Sequence, residues 1–158
     1  MALLEAHRIE RVVDVRTMPR SRHNPQFNRD ALPGSLAEHG IEYEHRKGLG
    51  GLRHTRKDSP NQGWRNASFR GYADYMQTDE FAAEIEWLAE VARRERCTVM
   101  CAEAVPWRCH RSLIGDAMLV RGFTVRDIMN ETTAREHKLT RFARVEGRRI
   151  TYPFALEG

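Results

Sequence analysis

Residues 97–121 read C-T-V-M-C-A-E-A-V-P-W-R-C-H-R-S-L-I-G-D-A-M-L-V-R, and this stretch decides the fold class. Cys97 to Cys101 has strand character and runs into a loop. Arg108 to Arg121 then carries Leu113, Ile114, Ala117 and Met118 at helical spacing. In open α/β sheets, ligands sit where strands end and helices begin. Between Met100 and Ile114 the chain gathers two cysteines, a carboxylate, a histidine and two arginines, so function is expected at this junction.

Outward from it the same alternation continues. Ala2 to His7 reads as the tail of a helix, Val12 to Val15 as a short buried strand and Ile41 to Glu44 as a weaker one. Asn28 is placed to cap a helix bearing Leu32 and Leu36, with Gly40 past its end. A long loop is expected from His45 to about Arg70. The clearest helix is Asp79 to Arg94: Phe81, Ile85, Leu88 and Ala92 share a face, Thr78 can cap, and Asp79 and Glu80 suit the first turn. Phe123 to Ile128 is expected as a strand, and residues 136–154 as a basic extended hairpin segment. Strand–helix alternation implies a mostly parallel sheet with helices on both faces. The expected fold is a single compact α/β domain over residues 1–158, three-layered and Rossmann-like.

A chain of 158 residues can bury a core without staples. There is no long apolar run and no signal-peptide pattern, so the expectation is a soluble cytoplasmic protein without a membrane partner. Three cysteines in no paired framework suit a reducing compartment. The net charge of +4 is modest, and its distribution says more. Arg16, Arg20, Arg22, His23 and Arg29 follow the Val12 strand with no acid among them. His45, Arg46, Lys47, Arg53, His54, Arg56 and Lys57 follow the Ile41 strand, and Arg108, His110 and Arg111 follow the Cys97 strand. If the strands are parallel, all three clusters share the carboxyl edge, and an anionic ligand is expected there: phosphate, nucleotide or nucleic acid. Ordinary solvated charge is the alternative.

The junction has its own chemistry. Alternation puts Cys97, Val99 and Cys101 on one face, with the two cysteines roughly 13 Å apart at strand rise. Cys97 is then a small core residue, while Cys101 faces the cleft at the strand end. Arg108, Cys109, His110 and Arg111 fall in the first helical turn, where the macrodipole disfavours each cation by about 0.3–1 kcal/mol. Rules broken this way mark functional sites. Free backbone N–H groups with arginines form an anion site, and the same field can hold Cys109 or Cys101 as a thiolate. Glu103 is placed to act as acid or base, or to pair with Arg108 or Arg111. Asp14, inside an apolar run, is either used chemically or paired with an arginine of the rim. A zinc site from Cys101, Cys109 and His110 fits no common spacing and is the weaker reading, so no metal or cofactor is expected.

Five motifs together resemble the domain-of-unknown-function family 488: V-V-D-V-R-x-x-P-x-S at 12–21, N-P-Q-F-N at 24–28, G-L-G-G at 48–51, W-R-N-A-S-F-R-G-Y-A-D-Y-M at 64–76 and C-A-E-x-x-P-x-x-C-H-R at 101–111. The resemblance spans nearly the whole chain. It implies a compact α/β domain without a settled activity. Its motif positions fall on Asp14, Arg16, Pro19, Arg20, Cys101, Glu103, Pro106, Cys109, His110 and Arg111. Members usually open with a strand bearing a T-x-G-H-S-like turn. The resemblance therefore implies that this chain, starting inside the following helix, lacks that strand. Val12 to Arg16 and Cys101 to Phe123 also look somewhat like a rhodanese, although the loop from Cys101 to Arg111 is longer than the usual one.

Two enzymatic readings follow. In nucleic-acid chemistry, including base removal, the basic loops grip phosphates through Arg16, Arg20, Arg22, Arg65, Arg70, Arg108 and Arg111. Trp64, Phe69, Tyr72 and Trp107 are candidates to stack on a base, with core packing favoured for Tyr72. In thiol chemistry, Cys101 is the nucleophile. A non-enzymatic binding regulator is the third possibility. The width of the cationic rim favours nucleic acid or nucleotides.

Overall fold

A computed structural model describes residues 2–16, 31–51, 53, 55–101 and 110–153. Its elements are α1 (Ala2–Ala6), β1 (Arg11–Asp14), α2 (Leu32–Ala37), β2 (Glu42–His45), a single 3-10 turn at Lys47–Leu49, α3 (Ala67–Tyr75), α4 (Asp79–Arg94), β3 (Cys97–Met100), α5 (Arg111–Val120) and four short strands. These last are β4 (Arg126–Ile128), β5 (Ala134–Glu136), β6 (Arg144–Glu146) and β7 (Arg149–Thr151).

The parallel sheet has three strands in the order β2-β1-β3. Its register is flush, with Asp14 opposite both His45 and Met100. Side-chain alternation along β1 sorts the core onto the two sheet faces. Val13 and Val15 join Tyr72, Phe81, Ile85, Leu88, Leu113 and Ile114 from α3, α4 and α5, while Val12 joins Leu32, Leu36, Ile9 and Ile41 around α2. Cys97, Val99 and Cys101 pack toward the first cluster and Met100 toward the second, as the alternation predicts. Among the described residues no helix is long and apolar enough to cross a membrane.

Local chemistry explains the element ends. Thr78 accepts from the Phe81 N–H at 3.2 Å and starts α4 where its cap was expected. Gly40 ends α2 at φ +72°, a left-handed position that glycine tolerates without a Cβ clash. Asn28, expected to cap that helix, lies outside the described residues. The expected loop from His45 to Arg70 is too long, because α3 begins at Ala67. Asn66 caps α3, its Oδ1 accepting from the N–H groups of Ser68 (2.8 Å) and Phe69 (3.3 Å). The expected strand at Phe123 to Ile128 shrinks to β4, which pairs antiparallel with β5 and stays outside the parallel sheet. Polar Arg126 and Asp127 leave it too little apolar surface to be buried on both faces, as a strand in a parallel sheet requires. The tail does close as a hairpin, β6 on β7, around Gly147 at φ +65°.

Candidate functional site

The end of β1 carries a heavily committed polar group. Asp14 is fully buried and accepts four hydrogen bonds. They come from the Arg16 N–H (3.0 Å) and Nε (3.0 Å) to Oδ1, and from Arg16 Nη2 (2.8 Å) and Tyr43 Oη (2.5 Å) to Oδ2. Burial pushes the Asp14 carboxyl up, but the bonds from Arg16 and Tyr43 outweigh it and hold the group below its ordinary value. Burial and the same carboxylate push the Tyr43 phenol up. Of the two roles expected for Asp14, pairing is the one this geometry displays. The pair fixes the guanidinium of Arg16, and the Arg16 carbonyl is in turn 2.7 Å from Nε2 of His45 at the end of β2.

The basic cluster after β2 is largely tied down. Arg46 pairs with Glu84 at 2.9 Å and lies 4.0 Å from the Trp87 ring centroid. Arg53 sits 3.7 Å from the centroid of Tyr75 and donates to the Gly50 carbonyl at 3.3 Å. Arg56 pairs with Asp58. Lys47 is exposed. The cationic rim expected from the sequence is therefore narrower here than a count of charges suggests.

At the end of β3, Cys101 is half-buried against the main core. Burial pushes the thiol of Cys97 up, as befits a packing residue. His110 immediately precedes α5. Its ring lies 4.7 Å from that of Tyr72, and a Cβ on Gly51 would come within 3.3 Å of its Nδ1. Tyr72 donates to the Leu49 carbonyl (2.9 Å) and Tyr75 to the Gly48 carbonyl (2.6 Å). The G-L-G-G segment is thus pinned to α3 and forms a floor on which His110 rests, with half-buried Arg111 next in the chain. Tyr72 is a core residue, as expected.

Trp64 packs edge-on against Phe69 (5.0 Å) and Phe142 (4.8 Å) and tilts against Tyr152 (5.4 Å), which joins the loop before α3 to the carboxyl-terminal tail. Arg70 donates to the carbonyls of Trp64 and Arg65, while the Arg65 side chain is exposed. Arg20, Arg22, Glu103, Trp107, Arg108 and Cys109 lie outside the described residues. So does one of the three side chains of the weaker zinc reading. Among the described residues no group of three or more His, Cys, Asp or Glu is placed to hold a metal.

Two buried polar hubs escaped the sequence reading. Asp74 accepts from Ser59 Oγ (2.5 Å), Asn61 Nδ2 (2.8 Å) and the Arg56 N–H (2.8 Å). Asp116 accepts from His137 Nε2 (2.9 Å), Thr140 N (3.1 Å), Thr140 Oγ1 (2.6 Å) and Tyr152 Oη (2.8 Å). The available signal was an acid inside each apolar helical run, in G-Y-A-D-Y and in L-I-G-D-A-M.

Fold and site together define an α/β domain with a short parallel sheet whose polar strand ends meet the start of a helix. The chain belongs to a family described as Domain of unknown function DUF488, whose model matches residues 1–118. That match takes in β1, the G-L-G-G floor and most of α5, and stops before the β4–β5 hairpin and the tail. No curated protein and no solved structure matches the chain.

Proposed function

We propose that the strand-end edge of this domain acts on or senses nucleic acid or nucleotides. The frame would be a compact three-layer Rossmann-like domain in a soluble, cytoplasmic protein. One observation carries the reading. The flush register of β2, β1 and β3 sends the segments bearing Arg16, Lys47 and Cys101 off the sheet along a single edge. A ligand with several phosphates can engage separate loops at once, whereas a small thiol substrate needs one. In this reading Asp14 holds Arg16 rather than reacting. Base removal would draw on Glu103 to polarise water or to stabilise a cationic sugar, and on Trp107 to stack on the base. No cofactor is invoked.

Sulfur transfer is the second reading, favoured by the place of Cys101, half-buried at the end of a strand paired with β1. A non-enzymatic regulator would use the same edge to bind without turnover. The test incubates the protein with duplex and single-stranded oligonucleotides carrying modified bases, followed by alkali. Strand breaks lost in Glu103→Gln and retained in Cys101→Ser support base removal. Salt-sensitive binding without breaks moves the reading to a regulator. Neither breaks nor binding overturns the nucleic-acid reading and leaves Cys101 as the group to assay.

A further inference from the structure

A cleft of about 770 Å³ lies between Trp64, the start of α5 and the β4–β5 hairpin, lined in part by Ser112, Asp127, Met129 and His137. That volume is within the range of small-ligand sites. His137 is held there in a defined state. Each oxygen of the Asp116 carboxylate accepts two hydrogen bonds, one of them from His137 Nε2. A carboxylate is acceptor-only, so Nε2 carries the proton, and Nδ1 of the neutral ring is left with its lone pair.

Gly115 sets the ring's orientation. A Cβ there would lie 2.9 Å from both Cδ2 and Nε2 of His137, closer than real Cβ contacts come. The ring's Nε2–Cδ2 edge therefore faces the helix and its Nδ1–Cε1 edge faces away from it. Charged neighbours come from every element around the ring. Asp116 on α5 and Asp127 on β4 favour the protonated form, and Arg135, Glu136 and Lys138 of its own segment line the same cleft. Ser112, at the second position of α5, joins this cleft to the strand-end edge at Arg111.

We propose that His137, oriented by Asp116, is a proton-transfer residue serving a nucleotide-sized ligand in the cleft beside Trp64. The proposal rests on the nucleic-acid or nucleotide reading above and extends it to residues beyond the family match. In the step it supports, Nδ1 takes a proton from a water whose oxygen bonds to C1′ of the sugar as the C1′–N bond to the base breaks. The base leaves with that electron pair and takes the proton from Nδ1, while Nε2–H keeps its hydrogen bond to Asp116.

The test uses the intact chain and long-range 1H–15N NMR. The neutral His137 ring is expected as the Nε2–H tautomer, and a bound single-stranded oligodeoxynucleotide is expected to shift its Nδ1 resonance. His137→Gln keeps an amide donor for Asp116, and so preserves the fold, but removes the base. It is expected to lower turnover about 100-fold or more while binding changes by less than about twofold. An Nδ1–H tautomer, or an oligonucleotide that binds without moving Nδ1, overturns the proposal and leaves the strand-end reading standing. Failure of any oligonucleotide to bind overturns the nucleic-acid form of that reading and leaves its nucleotide form. The cleft is then probed with nucleoside 5′-monophosphates, where a shifted Nδ1 sustains the proposal and an unshifted one ends it.

Discussion

Asp14 and Arg16, two residues apart where β1 ends, form a buried two-pronged ion pair with N–O distances of 3.0 and 2.8 Å. Removing one partner of such a pair leaves a buried charge uncompensated, at about 3–5 kcal/mol. Asp14→Asn is therefore expected to lower the thermal midpoint far more than Arg65→Ala, an exposed change worth within about 0.5 kcal/mol. The pair also sets an acid limit. The folded Asp14 carboxyl lies below its ordinary 3.8, so its contribution is complete above that pH and is lost as pH falls further. Denaturation midpoints from pH 5 down to pH 2 should show a limb that Asp14→Asn lacks. Identical limbs would place the acid sensitivity elsewhere.

His137 gives the opposite slope. Its bond to Asp116 raises the ring above the ordinary 6.5 despite the opposing effect of burial. A raised histidine stabilises fully below its unfolded value, and that contribution disappears as pH rises through the folded one. Stability of the wild-type chain should accordingly fall between pH 6 and pH 8.5 by an amount that His137→Gln removes. Urea midpoints at the two pH values measure it, and parallel slopes in the two proteins would refute the assignment.

Which parts were legible follows from where the determining contacts lie. Phe81, Ile85 and Leu88 repeat within one helix and Thr78 caps it locally, so α4 was readable from the chain alone. The same holds for the alternation of Val12 and Val13 in β1. Helix α3 was hidden because Arg70 and Gly71 blur its periodicity, while Asn66 and the tertiary burial of Tyr72 and Tyr75 decide the matter. The strand expected at Phe123 was overestimated because pattern alone cannot say whether a strand has a neighbour to pair with. Asp14 was flagged by its apolar surroundings, but its occupation by Arg16 and Tyr43 depends on a contact across the sheet. Asp116 and His137, twenty-one residues apart, meet only once the tail folds back, and no local spacing announces that.

Two glycines separate backbone crowding from side-chain crowding. A Cβ on Gly63 would meet the carbonyl oxygens of Pro153 (2.7 Å) and Tyr152 (2.8 Å) as well as the Phe142 ring (2.8 Å), while the nearest atoms to one on Gly48 belong to the Glu84 side chain. Backbone cannot yield as a flexible carboxylate can. Gly63→Ala is expected to cost about 1–3 kcal/mol by overpacking and to loosen the tail. Gly48→Ala forfeits at most the partly exposed Arg46–Glu84 pair, worth about 1 kcal/mol or less. Thermal midpoints should rank the two, with faster hydrogen exchange at Tyr152 in Gly63→Ala alone. Tyr152 N–H donates to Asn61 at 2.8 Å and reports directly on tail docking.

Binding measurements can separate arginines that meet a ligand from those that hold the fold. Arg53 packs on the Tyr75 ring and donates to the Gly50 carbonyl in the loop after β2, and Arg111 opens α5 beside His110 at the strand-end edge. Each phosphate contact contributes about 0.9 to the slope of log affinity against log salt on a duplex. Arg111→Ala is thus expected to weaken oligonucleotide binding and to flatten that slope by about one contact. Arg53→Ala should leave the slope unchanged, even where it lowers stability through the loosened G-L-G-G floor. Fluorescence anisotropy at several salt concentrations reads both quantities in one experiment. A slope altered by Arg53→Ala and not by Arg111→Ala would move the phosphate path away from the start of α5 and onto the loop after β2.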